Sequence, residues 1–261
     1  MKIVTLVKQV PDTTEVRMDP KTGTLIREGV PSIVNPYDKH ALEEALRLRE
    51  RFGGEVTVIS MGPPQAIRAL QECRALGADR CYLLSDRKFA GADTLATAYS
   101  LGRAVEKVVP DFDIILCGQQ AIDGDTGHVG PQLGEYLSIP HVAYVSALTV
   151  EGRRAVALRE MEGGHMEVEV TLPALFTVTK KINSPRYPTV MRILKAVEED
   201  YPVLTADDIG VEEGRIGLGG SPTRVRKIFA PEVRPRGKIL QGSTDEQLDA
   251  LIDVFKKLNL V

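Results

Sequence analysis

The chain has 261 residues, of which 43% are hydrophobic, and carries a formal net charge of −3. This length suits one large α/β domain with an appendage, or two small domains. The slightly negative charge argues against a nucleic-acid-binding protein. No apolar run reaches the roughly 18 residues that a membrane span needs, so a transmembrane protein is also excluded.

The first ten residues predict a strand rather than a signal peptide, because they lack a long apolar region and a small-residue cleavage site. Cys73, Cys81 and Cys117 are odd in number and irregularly spaced. Such cysteines are typical of buried thiols in a reducing compartment, and they provide neither a disulfide framework nor a metal knuckle. We therefore expect a cytoplasmic protein.

Short apolar runs rich in β-branched residues alternate with segments of helical period. The predicted strands are Ile3–Val7, Val56–Ile59, Cys81–Leu84 and Ile114–Cys117. The predicted helices are centred on Leu42–Arg49, Ile67–Leu76 and Leu95–Val108, the last opened by Asp93 as its N-cap. Continuous apolar strands that alternate with helices predict an α/β fold with a doubly wound, mostly parallel sheet.

Two β-hairpins are predicted as insertions into this pattern: Val16–Met18 with Thr24–Ile26, and Ala155–Leu158 with Met166–Thr171. Residues 211–238 are rich in Gly and Pro and predict an extended arm, and Thr244 opens an amphipathic helix. We divide the chain into a nucleotide-binding unit, 1–210, and an arm with a terminal helix, 211–261. That helix packs either on its own domain or on a partner subunit.

Parallel sheets bind ligands at the carboxyl ends of their strands, where the strand order reverses. The loops that follow the predicted strands therefore supply the candidate binding residues. They are Lys8, Asp12 and Thr13 after the first strand; Met61 and Gly62 after the second; Phe89, Gly91, Ala92, Asp93, Thr94 and Thr97 after the third; and Cys117, Gly118, Gln120, Asp123, Gly124, Asp125, Thr126, Gly127, His128, Val129, Gly130 and Pro131 after the fourth.

The last two of these loops each lead into a helix, whose N-terminus offers unpaired N–H groups and a partial positive charge to a phosphate. Glycines in the fourth loop allow close backbone approach, and Thr94, Thr97 and Thr126 offer hydroxyls. A single loop of this kind is as well explained by a helix cap with turn glycines. Two such loops at one sheet edge favour a nucleotide site.

Other chemistries lack their sequence motifs. The sequence contains no Walker loop, no GxGxxG after the first strand and no GxSxG elbow. The four histidines have no metal-ligand spacing, and no Ser/His/Asp or Cys/His arrangement can be assigned. Trp is absent and aromatics make up 5%, which argues against a base-stacking platform. The residues indicate a nucleotide binder with neither a metal nor acid–base catalytic residues.

Several phrases resemble, in order and spacing over nearly the whole chain, the beta subunit of electron-transfer flavoproteins. They are Lys8-Gln-Val-Pro-Asp-Thr, Asn35-Pro-Tyr-Asp, Met61-Gly-Pro-Pro, Gly118-Gln-Gln-Ala-Ile-Asp-Gly-Asp-Thr and the stretch from Arg159 to Leu175. Each is weak alone, and together they are specific. The resemblance implies a heterodimer in which the alpha subunit holds FAD on a mobile domain and this chain holds an adenine nucleotide.

The resemblance also assigns residues to the nucleotide pocket. These are Leu6, Val7, Asn35, Pro36, Tyr37, Asp38, Met61 and the segment 123–134, in which Asp123-Gly-Asp-Thr would grip phosphate. Cys117 would lie beside the pocket.

The segments 8–13, 91–97 and 123–131 resemble those of electron-bifurcating members, in which the nucleotide is a second FAD; simple carriers hold a structural AMP. FAD has one more phosphate, for which Thr94 and Thr97 would supply donors. Alternatively, Asp93 only caps a helix and both threonines face water or bond their own backbone. With FAD, the resemblance implies a complex that oxidises NADH and passes electrons to ferredoxin or flavodoxin and to an acyl-CoA dehydrogenase or quinone oxidoreductase.

The segment 180–195 resembles the family's recognition loop, which would present Val190 or Met191 as an apolar anchor to the dehydrogenase. The alternative for this segment is a buried strand end. Glu160 matches an acidic residue that would bias the mobile domain, and the helix from Thr244 to Leu260 would dock on the alpha subunit.

Two other functions stay open at this stage. An ATP-binding enzyme of the adenine-nucleotide hydrolase-like fold would carry a Ser-Gly-Gly loop where Lys8-Gln-Val-Pro stands. A nucleotide sensor of the universal-stress type would not need the arm and the terminal helix.

Overall fold

The computed structural model describes residues 1–12, 31–226, 237 and 239–260. Its strands, in chain order, are β1 (Lys2–Val7), β2 (Gln9–Pro11), β3 (Ser32–Val34), β4 (Glu55–Met61), β5 (Arg80–Leu84), β6 (Ile114–Gly118), β7 (His141–Glu151), β8 (Arg154–Met161), β9 (Gly164–Thr171), β10 (Ala174–Val178) and β11 (Val203–Leu204).

The α-helices are α1 (Pro36–Phe52), α2 (Ile67–Leu76), α3 (Thr94–Val108), α4 (Val129–Tyr136), α5 (Val190–Glu198), α6 (Ala206–Ile209) and α7 (Thr244–Lys257). Short 3₁₀ turns occupy Pro64–Ala66, Arg87–Phe89 and Glu213–Arg215.

Nine strands form one sheet in the order β11-β5-β4-β1-β6-β10-β7-β8-β9. The strands from β11 to β7 pair in parallel, and β8 and β9 extend the sheet as antiparallel neighbours. The chain builds outward from β1 to β4 and β5, then returns to β6 on the other side of β1. This reversal places a crevice between the carboxyl ends of β1 and β6.

Each face of the sheet is covered by helices, because the central strands are apolar on both faces. Ile3 and Val7 of β1 join the core beneath α1 and α2. Val4 and Leu6 of the same strand join the core beneath α3, α4 and α6. The predicted doubly wound α/β fold is confirmed.

The four predicted parallel strands are confirmed, as is the second hairpin, which β8 and β9 form. The first predicted hairpin falls on residues 13–30, outside the described part of the chain. Neither β7 nor β10 was predicted as a parallel strand. β10 is fully buried in the middle of the sheet, between β6 and β7.

The start of the predicted arm, 211–223, packs on the α/β unit. Ile216 is buried in the core beneath α3, and the Leu218 N–H bonds the Ala90 carbonyl at 3.0 Å. By contrast, α7 buries none of its residues, and its apolar stripe includes Leu248 and Phe255, 54% and 39% exposed. Among the described residues, no helix combines the length and apolar character needed to cross a bilayer.

Candidate functional site

Asp38 joins the two strand ends that flank the crevice. Its carboxylate accepts hydrogen bonds from the backbone N–H of Lys8, at 2.8 Å, and of Gly118, at 3.0 Å. Burial raises the pKa of Asp38 to about 7, although the hydrogen bonds it accepts oppose this rise. Asp38 therefore fixes the spacing of the β1 and β6 ends from the side of α1.

Asn35 positions the loop that follows β6. It is fully buried just before α1, and its backbone N–H bonds the Lys8 carbonyl at 2.9 Å. Its side-chain amide donates to the Gln120 carbonyl at 2.9 Å and accepts from the Ile122 N–H at 3.2 Å. Pro36 opens the helix, where its missing N–H costs nothing. The side chains of Asn35 and Asp38 thus hold protein backbone in place.

Two glycines allow this packing, since a side chain would not fit at either. A Cβ on Gly118 would lie 2.5 Å from both Asp38 Oδ1 and Tyr37 Cβ. One on Gly130 would lie 2.4 Å from Thr177 Cγ2 and 3.1 Å from Cys117 Sγ. Cys117 is buried, and burial raises the pKa of its thiol. The structure therefore places Cys117 behind the site as an unreactive packing residue.

The segment from Thr126 to Gly130 presents a row of backbone N–H donors. Asp125 and Gly127 have φ values of 53° and 65°, so left-handed residues alternate with right-handed ones such as His128, at −94°. In the described part of the chain, the N–H groups of residues 126–130 have no protein acceptor. Consecutive N–H groups in such a conformation make an anion-binding concavity.

The N-terminus of α4 adds a partial positive charge to this loop. His128, at the N-cap, makes no side-chain capping bond to the first turn. The loop's own carboxylates are engaged elsewhere: Lys8 Nζ lies 2.7 Å from Asp123 Oδ1, and the Gln120 amide bonds Asp125. The segment 126–130, which we call the α4 cradle, is thus suited to a phosphate.

The start of α3 is built differently. The Asp93 carboxylate accepts from the N–H groups of Leu95 and Ala96, each at 3.0 Å, and from the N–H and hydroxyl of Thr223 at 3.0 and 2.7 Å. These bonds hold the pKa of Asp93 below its usual value, although burial opposes that shift. Asp93 is therefore a helix cap that also anchors the arm. Thr94 and Thr97 are half-buried beside it.

Comparison with known proteins decides the family. The electron transfer flavoprotein domain matches residues 22–208. The chain belongs to the electron transfer flavoprotein family. It is 52% identical to the electron transfer flavoprotein subunit beta of Thermoanaerobacterium thermosaccharolyticum, over the whole of both chains. It is 46% identical to the caffeyl-CoA reductase-Etf complex subunit CarD of Acetobacterium woodii, again over both whole chains. Protein FixA of Azorhizobium caulinodans is 43% identical, over 98% of this chain and 95% of its own.

The remaining predicted pocket residues of this flavoprotein chain lie in two groups. Leu6 and Val7 are buried at the end of β1, with Lys8 above them. The second group follows β4 and β5. Met61 is the last residue of β4 and Gly62 follows it, while Phe89 is buried in the core. Gly91 and Ala92 lead to Asp93, and a Cβ on Gly91 would lie 3.1 Å from Leu218 Cβ. Asp12 is exposed, and Thr13 lies outside the described residues.

The predicted partner-binding residues are exposed or salt-bridged. Val190 and Met191 open α5 and are 71% and 74% exposed, so the alternative of a buried strand end is wrong. Glu160, on β8, pairs with Lys181 at 2.8 Å. Arg186 holds the preceding segment on α1 by bonding Glu43 at 2.8 Å.

Sequence reasoning missed Tyr144 and Thr177, which lie at the same sheet edge of this electron transfer flavoprotein chain. Tyr144 is in β7 with a φ of 60°, and its N–H bonds the Thr177 hydroxyl at 3.1 Å. No local signal marks either residue, because both stand inside β-rich runs that contain neither Gly nor Pro. The described residues contain no group of three or more His, Cys, Asp and Glu arranged to hold a metal ion.

Proposed function

We propose that this electron transfer flavoprotein beta subunit holds an adenine nucleotide at the β1/β6 crevice, with a phosphate on the α4 cradle. The observation that carries the proposal is the row of N–H groups at 126–130, which have no acceptor in the described chain. They lie at a helix N-terminus, at the reversal of a doubly wound sheet. Asn35, Asp38 and Lys8 keep the loop in this conformation.

We propose further that the nucleotide is FAD, as in electron-bifurcating members, and that NADH is the electron donor. The support is the resemblance of segments 8–13, 91–97 and 123–131, together with two hydroxyls, Thr94 and Thr97, that could reach a second phosphate. When bound, FAD would supply the electron transfer, and this chain would bind and orient it. The proposed role needs no side chain of this chain to act as a general acid or base.

A structural AMP is the second candidate, and one observation favours it. Asp93 occupies the Leu95 and Ala96 N–H groups at the start of α3, so a second phosphate would find fewer backbone donors there than on the α4 cradle. AMP needs a single phosphate site, and the α4 cradle alone provides one.

The partner surfaces in the proposal are two exposed helices. The apolar stripe of α7 would dock on the alpha subunit, since an amphipathic helix with no buried residue leaves its apolar face in water. Val190 and Met191, flanked by Arg192 and Lys195, would anchor an acyl-CoA dehydrogenase or quinone oxidoreductase. Ferredoxin or flavodoxin would be the other acceptor if FAD is bound.

The experiment that tests the proposal is to purify the chain with its alpha subunit, release bound nucleotides with acid and quantify FAD and AMP by chromatography. About two FAD per heterodimer, with no AMP, is the expected result. About one FAD and one AMP per heterodimer would show that this chain holds a structural AMP and not a second flavin. One FAD and no second nucleotide would refute the α4 cradle as a nucleotide site.

A further inference from the structure

We infer that Tyr144 is a further nucleotide-binding residue, whose hydroxyl donates a hydrogen bond to the phosphate on the α4 cradle. The inference rests on the proposed function, because it needs a phosphate at that site. Three features of Tyr144 carry it: its backbone conformation, the place of its hydroxyl, and the hydrogen-bonding state of that hydroxyl.

The backbone of Tyr144 is held in a conformation that a bulky residue rarely adopts. Its φ is 60°, in the left-handed region, where an aromatic side chain is an outlier. The register of β7 against β10 shifts here: Phe176 is opposite Val142, but Val178 is opposite Val145. Two residues of β7, 143 and 144, therefore face the single Thr177, which forms a β-bulge.

The surroundings of the bulge fix this conformation. The Tyr144 N–H bonds the hydroxyl of Thr177, which is 2% exposed, and the next residue, Val145, is fully buried. The Thr179 N–H in turn bonds the Val145 carbonyl at 2.9 Å. Left-handed backbone at a non-glycine residue persists only where neighbours determine it, and bulges of this kind redirect a side chain.

The side chain is directed at the α4 cradle. A Cβ on Gly127 would lie 3.4 Å from the Tyr144 hydroxyl oxygen, and Gly127 is the second residue of the cradle. Because Gly127 has no side chain, nothing of its own separates the phenol from the row of N–H groups. Tyr144 as a whole is 39% exposed, so its side chain is not sealed in the core.

The hydroxyl has no hydrogen-bond partner among the described residues, and a tyrosine O–H can both donate and accept. Beside a phosphate held by backbone N–H groups, it would donate a charge-assisted bond, which is stronger than a bond between neutral groups. A tyrosine that served only to pack would use its ring and would not need the oxygen. The substitution Tyr144→Phe separates these two roles.

The test uses the heterodimer, freed of the nucleotide in this chain, and two probes, AMP and adenosine. For Tyr144→Phe we expect AMP to bind about tenfold more weakly and adenosine to bind unchanged, since adenosine lacks the phosphate. Tyr187→Phe is the matched control, because Tyr187 is 94% exposed on the segment before α5. It should leave both dissociation constants as in the wild type.

The possible outcomes distinguish the role of the Tyr144 hydroxyl from the proposed nucleotide site. If the wild type and Tyr144→Phe bind AMP equally well, the hydroxyl has no role in binding, and the α4 cradle stands as the phosphate site. Equal weakening of AMP and adenosine would assign Tyr144 to packing against the nucleoside, which also overturns it. Wild type that binds neither AMP nor FAD at this site would overturn both proposals.

Discussion

The starts of α3 and α4 follow similar sequences, each with Asp, Gly and Thr after a buried strand, yet they differ in what their N–H groups bond. At α3 the carboxylate of Asp93 accepts two backbone N–H groups and the arm residue Thr223. At α4 the N-cap residue, His128, makes no side-chain bond to the helix. The first helix start is closed by its own cap, and the second is open to an anion.

The difference shows that glycine and threonine at a helix start do not by themselves indicate a phosphate site. The deciding feature is whether a neighbouring side chain accepts the first N–H groups. An Asp at the N-cap does so, and its negative charge also opposes a phosphate. In the α4 loop the two Asp residues precede the cradle and are bonded to Lys8 and Gln120 instead.

The largest effect is expected for Gly118→Ala, which disrupts the junction that positions the α4 loop. Its Cβ would meet Asp38 and Tyr37 at 2.5 Å, so the strand end must move. We expect the thermal midpoint of the heterodimer to fall by about 5–10 °C. Gly124→Ala is the control, since a Cβ there meets nothing within 4 Å. Equal midpoints for the two variants would show that the junction does not hold the loop.

The pH dependence of stability distinguishes Asp38, which holds the β6 end that leads to the α4 loop, from Asp93, which caps α3. Burial raises the pKa of Asp38 from 3.8 to about 7, so the folded state binds more protons than the unfolded state between those values. Its contribution to the free energy of unfolding should therefore fall as pH rises from about 4 to 7, by up to a few kcal/mol. Asp93, with a lowered pKa, acts in the opposite sense, because its contribution is lost as pH falls.

Urea denaturation across pH 4–8 measures these contributions. The free energy of unfolding of the wild type minus that of Asp38→Asn should decrease as pH rises from 4 to 7. If the two profiles are parallel, Asp38 does not titrate in this range.

Asp93→Ala tests the closed start of α3. Loss of the cap and of the tie to Thr223 should lower the free energy of unfolding by about 1–2 kcal/mol, while the bound nucleotide stays at wild-type occupancy. Thr223→Val removes only the tie to the arm and should cost less. Loss of nucleotide from the Asp93→Ala heterodimer at temperatures where it remains folded would mean that Asp93 does more than cap α3 and is needed to hold the nucleotide.

Gly127→Ala gives the smallest expected change in stability and tests the open start of α4. An alanine at a φ of 65° should cost about 1 kcal/mol and weaken nucleotide binding, because the cradle needs that left-handed residue. Gly152→Ala is the control, because it introduces a comparable backbone strain, at a φ of 60°, in the turn between β7 and β8 and not in the cradle. Retained nucleotide affinity in Gly127→Ala would contradict the cradle.

Much of the fold could be predicted from the sequence because its signals are local. Apolar β-branched runs predicted β1, β4, β5 and β6, and the predicted N-cap Asp93 marks the start of α3 in the structure. The second hairpin was predicted from the paired runs Ala155–Leu158 and Met166–Thr171. β10 was missed because it directly follows the second hairpin, with no helix between β9 and β10, so the alternation of strands and helices does not mark it.

The sequence by itself determined the α/β class, the sheet edge at which the candidate loops lie, and the membership of the electron transfer flavoprotein family. Only the tertiary structure decided what each loop does with its hydrogen bonds. Asp93 meets an arm residue 130 positions away, and Tyr144 meets Gly127 through a bulge in another strand. These partners depend on strand order and register, which local residue patterns do not contain.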